Sequence, residues 1–317
     1  EKLKKHLGVK HLFLVSNGTM ALQLAIKVLD LKGEIITSPL SFIATPSAIS
    51  WQGCKPVFAD INKKSLTIDP EKIIAKISHR TKAIMPVHIF GYPCEIEKIS
   101  QIAKKFKLKV IYDGSHAFGV EHKGQSIFNF GDISTVSFNE TKFFHTAEGG
   151  AIITNNDEIA EKIKRLRYFG LSDEREFVSL GINAKNSELN TAMGLAIFPE
   201  IRKIIERKKR LTYFYDKLLY NSGVEKPKLS NAAEYNFSYY PVIFQSEGIL
   251  LKALEQFKKN GIFPERFFYP ALSRLPFFER QNCPIAEDLT TRILCLPLYY
   301  SLTKKDIQKI CRIIKNA

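Results

Sequence analysis

The sequence predicts an α/β fold, with a large domain built on a mostly parallel sheet followed by a smaller α+β domain. Two observations carry this prediction. Short apolar runs typical of buried strands alternate with helical patterns from the N-terminus onward. Beyond about residue 157 the alternation gives way to longer helical stretches and short strands. We therefore expect a large domain over residues 1–205 and a small domain over residues 206–317, with a helix connecting them.

The elements of the large domain follow from these patterns in order. Strands are predicted where apolar runs are short and bounded by turn residues, at 12–15, 34–37, 57–59, 83–87, 109–112, 133–138 and 151–154. Helices are predicted between and after them, at 20–29, 43–51, 70–77, 95–106 and 157–168. The helix at 70–77 starts with Pro70, a residue well suited to the first helical turn.

The C-terminal part has a different organisation. A long helical stretch is predicted over residues 187–220, with an interruption near Pro199 because proline breaks the helical hydrogen-bond pattern. It is followed by short strands, a helix, a loop rich in aromatic residues and proline, and a final helix, at 238–244, 248–260, 262–278 and 303–315. We expect this part to be the smaller α+β domain.

The composition is that of an ordinary globular protein, with 45% apolar and 25% charged residues. No stretch of 18 uninterrupted apolar residues occurs, so no transmembrane helix is expected. The charged segment Glu1–Lys10 is not a signal peptide, and because the chain starts with Glu1 we expect N-terminal sequence to be missing. The five cysteines form no C-x-x-C pair, which favours a reducing cytoplasm over a disulfide framework or a metal site.

The formal net charge of +15 has two interpretations. The simpler one is a lysine-rich surface, since the basic residues are spread along the chain without a long unbroken block. The other is attraction for an anion, and a small phosphorylated ligand would serve as well as nucleic acid. No helix-turn-helix, zinc or RNA-binding signature supports a nucleic-acid partner.

Three short segments carry candidate chemistry. The turn Ser16–Thr19 lies between a predicted strand and a predicted helix, where it could bind phosphate or simply cap the helix. Asp113 ends a predicted buried strand, where it could cap a helix or keep the ring nitrogen of a pyridine cofactor protonated. Lys142 follows a third strand and precedes a glycine-rich turn. A buried lysine with a lowered pKa is a Schiff-base nucleophile, although an isolated lysine is more often a surface residue.

The order of these segments is typical of fold-type I pyridoxal phosphate (PLP) enzymes, and the chain resembles the DegT/DnrJ/EryC1/StrS family of sugar aminotransferases. The matching stretches cover nearly the whole sequence: VSNGTMALQLAI (15–26), SPLSFIATPSAI (38–49), VFADI (57–61), AIMPVHIFGYPCEI (83–96), VIYDGSHAFGVEHKG (110–124), FGDISTVSFNETK (130–142), EGGAIITNN (148–156), LGINAKNSELNTAMGLA (180–196) and LCLPLYYSLTKKDI (294–307). The resemblance implies an aspartate aminotransferase-like fold with PLP as cofactor.

The resemblance also implies roles for individual residues. Lys142 corresponds to the Schiff-base lysine, which also moves the reaction's proton, and Asp113 to the partner of the ring nitrogen. His116 lies where the family places Gln or His near the ring hydroxyl, with a purely structural histidine as the alternative. Phe42 lies where an aromatic residue stacks on the ring, with a plain core residue as the alternative. The phosphate contacts fall on Gly18, Thr19, Ser137 and Asn183.

Asn183 matches an asparagine that the family supplies from the other subunit, so the resemblance implies a homodimer with shared sites. The pattern continues with a basic residue, here Lys185. Near the substrate, Asn139 replaces the His or Tyr that is common in the family, and His145 is a further candidate. Four residues are thus assigned to the substrate, the last two for the nucleotide diphosphate: Asn139, His145, Arg266 and Tyr269.

The implied reaction transfers an amino group from L-glutamate, which leaves as 2-oxoglutarate, to a nucleotide-linked keto-sugar. The stretches 37–51, 138–150 and 266–270 look most like the subgroup that forms dTDP-4-amino-4,6-dideoxyglucose, for an O-antigen or another surface polysaccharide. Amination of a dTDP-3-keto-6-deoxyhexose at C3 stays open as the alternative. A sugar dehydratase of the family would carry His in place of Lys142, and the Asp113/Lys142 pair argues against a non-catalytic regulator.

Overall fold

The computed structural model describes residues 1–229 and 232–317 of the chain. Its strands are short and lie mainly in the first half of the sequence. In chain order they are β1 (His11–Val15), β2 (Glu34–Thr37), β3 (Lys55–Phe58), β4 (Thr81–Met85), β5 (Lys109–Asp113), β6 (Glu121–His122), β7 (Gln125–Ser126), β8 (Ile133–Ser137), β9 (Gly150–Thr154), β10 (Ala233–Glu234), β11 (Pro241–Ile243) and β12 (Ile293–Cys295).

Helices alternate with the strands in the first half and dominate the second. In chain order they are α1 (Lys2–Leu7), α2 (Gly18–Val28), α3 (Ala44–Trp51), α4 (Pro70–Ile74), α5 (Ile96–Phe106), α6 (Asp157–Leu166), α7 (Glu188–Ile197), α8 (Ile201–Leu219), α9 (Glu247–Lys259), α10 (Pro284–Arg292) and α11 (Lys304–Lys315). A short 3-10 turn, Phe198–Glu200, separates α7 from α8 and contains the predicted interruption.

The central sheet has seven strands in the order β1-β9-β8-β5-β4-β2-β3. Neighbouring strands from β8 to β3 are parallel, whereas β9 is antiparallel to both of its neighbours, β1 and β8. The predicted mostly parallel sheet is therefore confirmed. The carboxyl ends of β5 and β8 lie side by side at one edge, and such an edge is where α/β sheets bind ligands.

Both faces of this sheet are covered. Successive residues of a strand point to opposite faces, and the neighbours Ile35 and Ile36 of β2 accordingly belong to two different buried apolar clusters. The same division separates Ala83 from Ile84 in β4. Because β2 and β9 are buried along their whole length, their sequences are mainly apolar rather than alternating.

The C-terminal part has its own apolar cluster, formed by α8, α9, α11 and the two-stranded antiparallel sheet β11–β12. The predicted boundary between residues 205 and 206 falls within α8, and the division into two domains at that point stays a prediction. In the part of the chain that the structure describes, no helix is long and apolar enough to cross a membrane.

Several elements differ from the sequence prediction. The helix predicted at 70–77 ends at Ile74, and the strand segment predicted at 238–244 is reduced to β11. The hairpin β6–β7, helix α10 and strand β12 were not predicted. Strands of two or three residues show no periodicity, and the first amides of α10 are capped by the side chain of Asp60, which lies more than 200 residues earlier in the chain.

Candidate active site

A cavity of about 490 Å³ opens at the carboxyl ends of β5 and β8, beside the first turn of α2. The structure brings most of the predicted site residues together on the walls of this cavity. Eight of them line it: Gly18, Thr19, Phe42, Asp113, His116, Ser137, Asn139 and Lys142. It also adds residues that the sequence did not single out, among them Thr45, Glu148, Tyr239, Phe267 and Phe268.

The turn before α2 is suited to an anion. Asn17 caps the helix by accepting a hydrogen bond from the amide of Met20 at 2.8 Å. No acceptor in the described part of the chain binds the amides of Gly18 and Thr19, which lie at the positive end of the helix. A Cβ on Gly18 would lie 2.8 Å from the Cβ of Ser137, so glycine allows that hydroxyl to approach the turn. These donors fit the phosphate of PLP.

Asp113 is the last residue of β5 and is 4% exposed. Its Oδ1 accepts hydrogen bonds from the amide and the hydroxyl of Ser115, at 3.1 and 2.7 Å, and its Oδ2 accepts one from the hydroxyl of Thr45 at 2.8 Å. Within the described residues it forms no ion pair. A buried carboxylate is costly without a positive partner, so this wall of the cavity fits a protonated ring nitrogen.

Lys142 lies in the loop after β8, which is closed by hydrogen bonds between Phe138 and Gly149 and between Phe138 and Thr146. Its Nζ donates a hydrogen bond to the hydroxyl of Tyr239 at 2.9 Å. Burial lowers the pKa of Lys142 from 10.5 to about 8, against the opposing effect of the charge of Asp113. Such a shift increases the neutral, nucleophilic fraction at neutral pH by roughly two orders of magnitude.

His116 is buried, and burial together with the charge of Lys142 holds its pKa well below the usual range. The ring is therefore neutral. Its Nδ1 accepts a hydrogen bond from the amide of Phe90 at 3.1 Å, which leaves the proton on Nε2. A neutral imidazole in this tautomer is a fixed hydrogen-bond donor on the cavity wall, suited to an oxygen atom of the cofactor.

Two further cavity residues bear on recognition. Phe42 is 58% exposed on the cavity wall, which contradicts the alternative of a core residue and leaves an aromatic face free for stacking. Asn139 donates hydrogen bonds to the carboxylates of Glu140 and Glu148 at 2.5 and 2.6 Å. The carboxylate of Glu148 is thereby held on the cavity wall close to the Lys142 loop.

Four predicted site residues do not line the cavity. His145 accepts a hydrogen bond from the amide of Ala147, and Asn183 is exposed in the segment between α6 and α7. The guanidinium of Arg266 is bound to the carboxylate of Glu247 and the carbonyl of Thr291, with its carbon atom 3.7 Å from the ring centre of Tyr269. The roles assigned to His145, Asn183, Arg266 and Tyr269 stay predictions.

Comparison with known proteins agrees with this geometry. The sequence profile of the DegT/DnrJ/EryC1/StrS aminotransferase family matches residues 1–315. The chain belongs to that family. Its cofactor is pyridoxal phosphate, and the predicted family, fold class, enzyme class and cofactor are confirmed.

Three similar proteins place the chain within the family. Two are named dTDP-4-amino-4,6-dideoxy-D-glucose transaminase: one from Shigella dysenteriae, 39% identical over 100% of this chain and 88% of its own length, and one from Escherichia coli, 37% identical over 99% and 87%. The third is the crystal structure of DesI with its TDP-sugar product. It superposes with a TM-score of 0.94 at 30% identity and covers 99% of this chain and 82% of its own.

Proposed function

We propose that this aminotransferase transfers the amino group of L-glutamate to C4 of dTDP-4-keto-6-deoxyglucose. The observation that carries the proposal is the pairing of Lys142 with Asp113 in one cavity, in a chain similar to two relatives that are named dTDP-4-amino-4,6-dideoxy-D-glucose transaminase. An intact pair of this kind argues against a non-catalytic regulator.

We assign the enzyme to the synthesis of a surface polysaccharide such as an O-antigen. We also assign it to the cytoplasm, because its five cysteines are free and buried, as is usual in a reducing compartment.

The residues of the cavity have different roles in the proposed reaction. When bound, PLP supplies an electron sink at the carbon that carries the amino group. The amides of Gly18 and Thr19 and the hydroxyl of Ser137 would hold its phosphate, and Asp113 would keep a proton on its ring nitrogen. Lys142, whose neutral amine is favoured by burial, would remove the proton from the carbon on one side of the amino nitrogen and return it to the carbon on the other side.

The choice of sugar carbon can be tested directly. We expect kcat/KM for dTDP-4-keto-6-deoxyglucose to exceed that for a dTDP-3-keto-6-deoxyhexose by more than about tenfold, because a site shaped for one geometry loses contacts with the other. Purified enzyme is incubated with L-glutamate and a panel of dTDP-, UDP- and GDP-keto-sugars. Product mass then reports the amine, and NMR reports its position.

The Lys142→Ala chain is the control for spontaneous amination in the substrate panel. Turnover confined to the 3-keto substrate would replace the C4 proposal with its C3 alternative. A product mass that identifies an amino sugar bearing UDP or GDP would instead change the nucleotide and leave the carbon position to be read from the NMR spectrum.

We further propose a homodimer with shared sites. Helix α7 buries only Gly194, although it is rich in apolar residues. The segment before it is also exposed and apolar, with Leu180 at 88% exposure and Leu189 of α7 at 85%. Together they form an apolar surface, which is typical of a protein interface: Tyr168, Phe169, Phe177, Val178, Leu180, Ile182, Leu189, Met193 and Leu195.

The electrostatics of the cavity also favour a second copy. The ligands carry phosphate and carboxylate groups, but Lys142 is the sole Lys or Arg among the described residues that line the cavity. The chain between α6 and α7, which is part of the apolar surface, borders the cavity. The carbonyl of Ala184 accepts a hydrogen bond from the amide of Ser16, and Asn190 of α7 donates one to the carbonyl of Glu148. Asn183 and Lys185 lie exposed in this segment, where a dimer could present them to the partner's cavity.

The dimer makes a clear prediction for Leu189. We expect Leu189→Asp to convert the dimer into a monomer and to weaken cofactor retention at least about tenfold, because a charge in an apolar interface is costly to bury. Sedimentation velocity gives the mass, and dialysis followed by absorbance gives the retained PLP. Leu251→Asp is the matched control, an exposed leucine on α9, and it should stay dimeric.

If the Leu189→Asp chain remains a dimer at equal concentration, this surface is not the dimer interface. Sharing of the sites can be tested separately by mixing two chains, Lys142→Ala and Asn183→Ala, each of which we expect to have reduced activity. Shared sites predict that subunit exchange restores activity, because one of the two hybrid sites then carries neither substitution. Independent sites predict no restoration.

A further inference from the structure

The hydroxyl of Tyr239 is the hydrogen-bond partner of the Lys142 amine. The two residues are 97 positions apart, and the Nζ atom of Lys142 lies 2.9 Å from the Tyr239 oxygen and 5.6 Å from the centre of its ring. Among the described residues, no other acceptor forms a hydrogen bond with this amine. Tyr239 lies in the segment between β10 and β11 and reaches the cavity from the C-terminal part of the chain.

The Tyr239 ring is held from several sides. Its centre lies 4.7 Å from that of His116 and 5.7 Å from that of Phe90. The backbone carbonyl of Tyr239 accepts a hydrogen bond from the hydroxyl of Tyr235 at 2.9 Å, and the same hydroxyl lies 3.0 Å from the carbonyl of Phe90. The position of the Tyr239 hydroxyl is therefore set by packing and not by a freely rotating side chain.

The backbone before Tyr239 is fixed as well. The carbonyl of Ser238 accepts a hydrogen bond at 2.8 Å from Lys208, a buried lysine of α8. The side chain of Asn236, 1% exposed, donates to the carbonyls of His116 and Phe118, both at 2.9 Å. The bonds from Asn236 attach the segment to the loop that follows Asp113, and the bond from Lys208 attaches it to α8. The Tyr239 hydroxyl is thus held in a constant relation to the residues that face the cofactor.

We propose that Tyr239 is a positioning residue that holds the Lys142 amine whenever this amine is not bound to the cofactor. The inference rests on the proposed role of Lys142. A free amine in a largely enclosed cavity needs a polar partner, and without one its side chain can adopt several rotamers. The hydrogen bond from Nζ to the fixed hydroxyl selects one position, from which the amine can take and return the proton at the reacting carbon.

The hydrogen bond also has an electrostatic consequence. Lys142 donates to the Tyr239 oxygen, and hydrogen bonds from a charged donor are stronger than neutral ones, so the hydroxyl favours the ammonium form. Burial acts in the opposite direction and lowers the pKa of Lys142 to about 8. Removal of the hydroxyl takes away one group that favours the ammonium form, while burial and the opposing charge of Asp113 stay the same, so the pKa of Lys142 should fall further.

Tyr239→Phe tests the proposal because it deletes one oxygen atom and keeps the ring contacts. In the full chain freed of cofactor, we expect the apparent pKa of Lys142 to fall by about one unit. Acetylation of Lys142 with a limiting reagent, followed across pH by peptide mass spectrometry, measures it. With the cofactor restored, kcat should fall by about tenfold while KM for the keto-sugar changes little.

The matched control is Tyr240→Phe. This hydroxyl is also buried, but it donates to Asp216 at 2.7 Å and has no contact with Lys142. We expect this chain to keep the Lys142 titration of the unmodified protein, with circular dichroism confirming the fold of both variants. An unchanged titration in Tyr239→Phe, or an equal shift in both variants, would overturn the proposal. The titration requires neither glutamate nor a sugar, so its outcome is independent of the substrates proposed above.

Discussion

Lys142→Ala should abolish the borohydride-reducible adduct with PLP and reduce transamination by about 10⁴-fold or more. Lys142 is the sole lysine among the described residues of the cavity, so no neighbouring amine can replace it. Tyr239 and the neutral His116 lie nearby, but neither carries an amine. Reduction of the purified protein with borohydride, followed by peptide mass spectrometry, locates the adduct, and release of 2-oxoglutarate measures turnover.

Two variants separate the chemistry of Lys142 from its charge. Lys142→Arg keeps a cation in the cavity but has no nucleophilic amine, so it should be as inactive as Lys142→Ala. Lys203→Ala, which removes an exposed lysine of α8, should keep both the adduct and the activity. Transamination retained in both Lys142 variants would contradict the assignment of the lysine.

The part of the site that could be predicted from the sequence is the part that is local. Asp113 and Ser137 each end an apolar run, and parallel strands bring their carboxyl ends to the same edge of a sheet. β5 and β8 are neighbours, with Asp113 paired opposite Thr135, so the two side chains meet at one cavity. Lys142 follows within five residues of Ser137, and the resemblance to the family assigned its role.

The remainder of the site depends on contacts between distant segments. Tyr239, Phe267 and Phe268 reach the cavity from the C-terminal part, and aromatic residues in strand and loop patterns give no sign of such a position. Arg266 shows the converse. It was the predicted cation for the nucleotide diphosphate, but Glu247 and the carbonyl of Thr291 bind its guanidinium. The hydrogen-bond partner of a polar side chain depends on how distant segments pack together, and a single sequence does not give that packing.

The apolar surface around α7 illustrates a third case. The apolar residues of α7 could have been assigned to the core from their pattern alone, yet Leu189 is exposed and Gly194 is the residue of α7 that is buried. The resemblance predicted a dimer through Asn183, whereas the folded chain shows an apolar surface and a cavity with few cations. These are separate physical reasons for a second copy, one from hydrophobic burial and one from charge.

The second large effect is expected at Asp113. We expect Asp113→Asn to reduce kcat by about 10²- to 10³-fold, because the substituted amide cannot stabilise a positive charge on the ring nitrogen. The phosphate contacts at Gly18, Thr19 and Ser137 are unchanged, so PLP retention should fall by less than about tenfold. Steady-state kinetics with L-glutamate, and dialysis followed by absorbance, measure the two quantities.

The surroundings of Asp113 make this substitution informative, since they distinguish loss of charge from loss of structure. Asparagine has the same shape as aspartate, and its amide oxygen can still accept the two hydrogen bonds from Ser115. In the cofactor-free chain a buried, unpaired carboxylate is replaced by a neutral group, so the melting temperature should stay the same or rise. Thr45→Val is the matched control: it removes one hydrogen bond to Oδ2 but keeps the charge, and it should lower kcat by less than about tenfold. Full activity in Asp113→Asn, or equal losses in both variants, would show that the charge of Asp113 is not what the reaction requires.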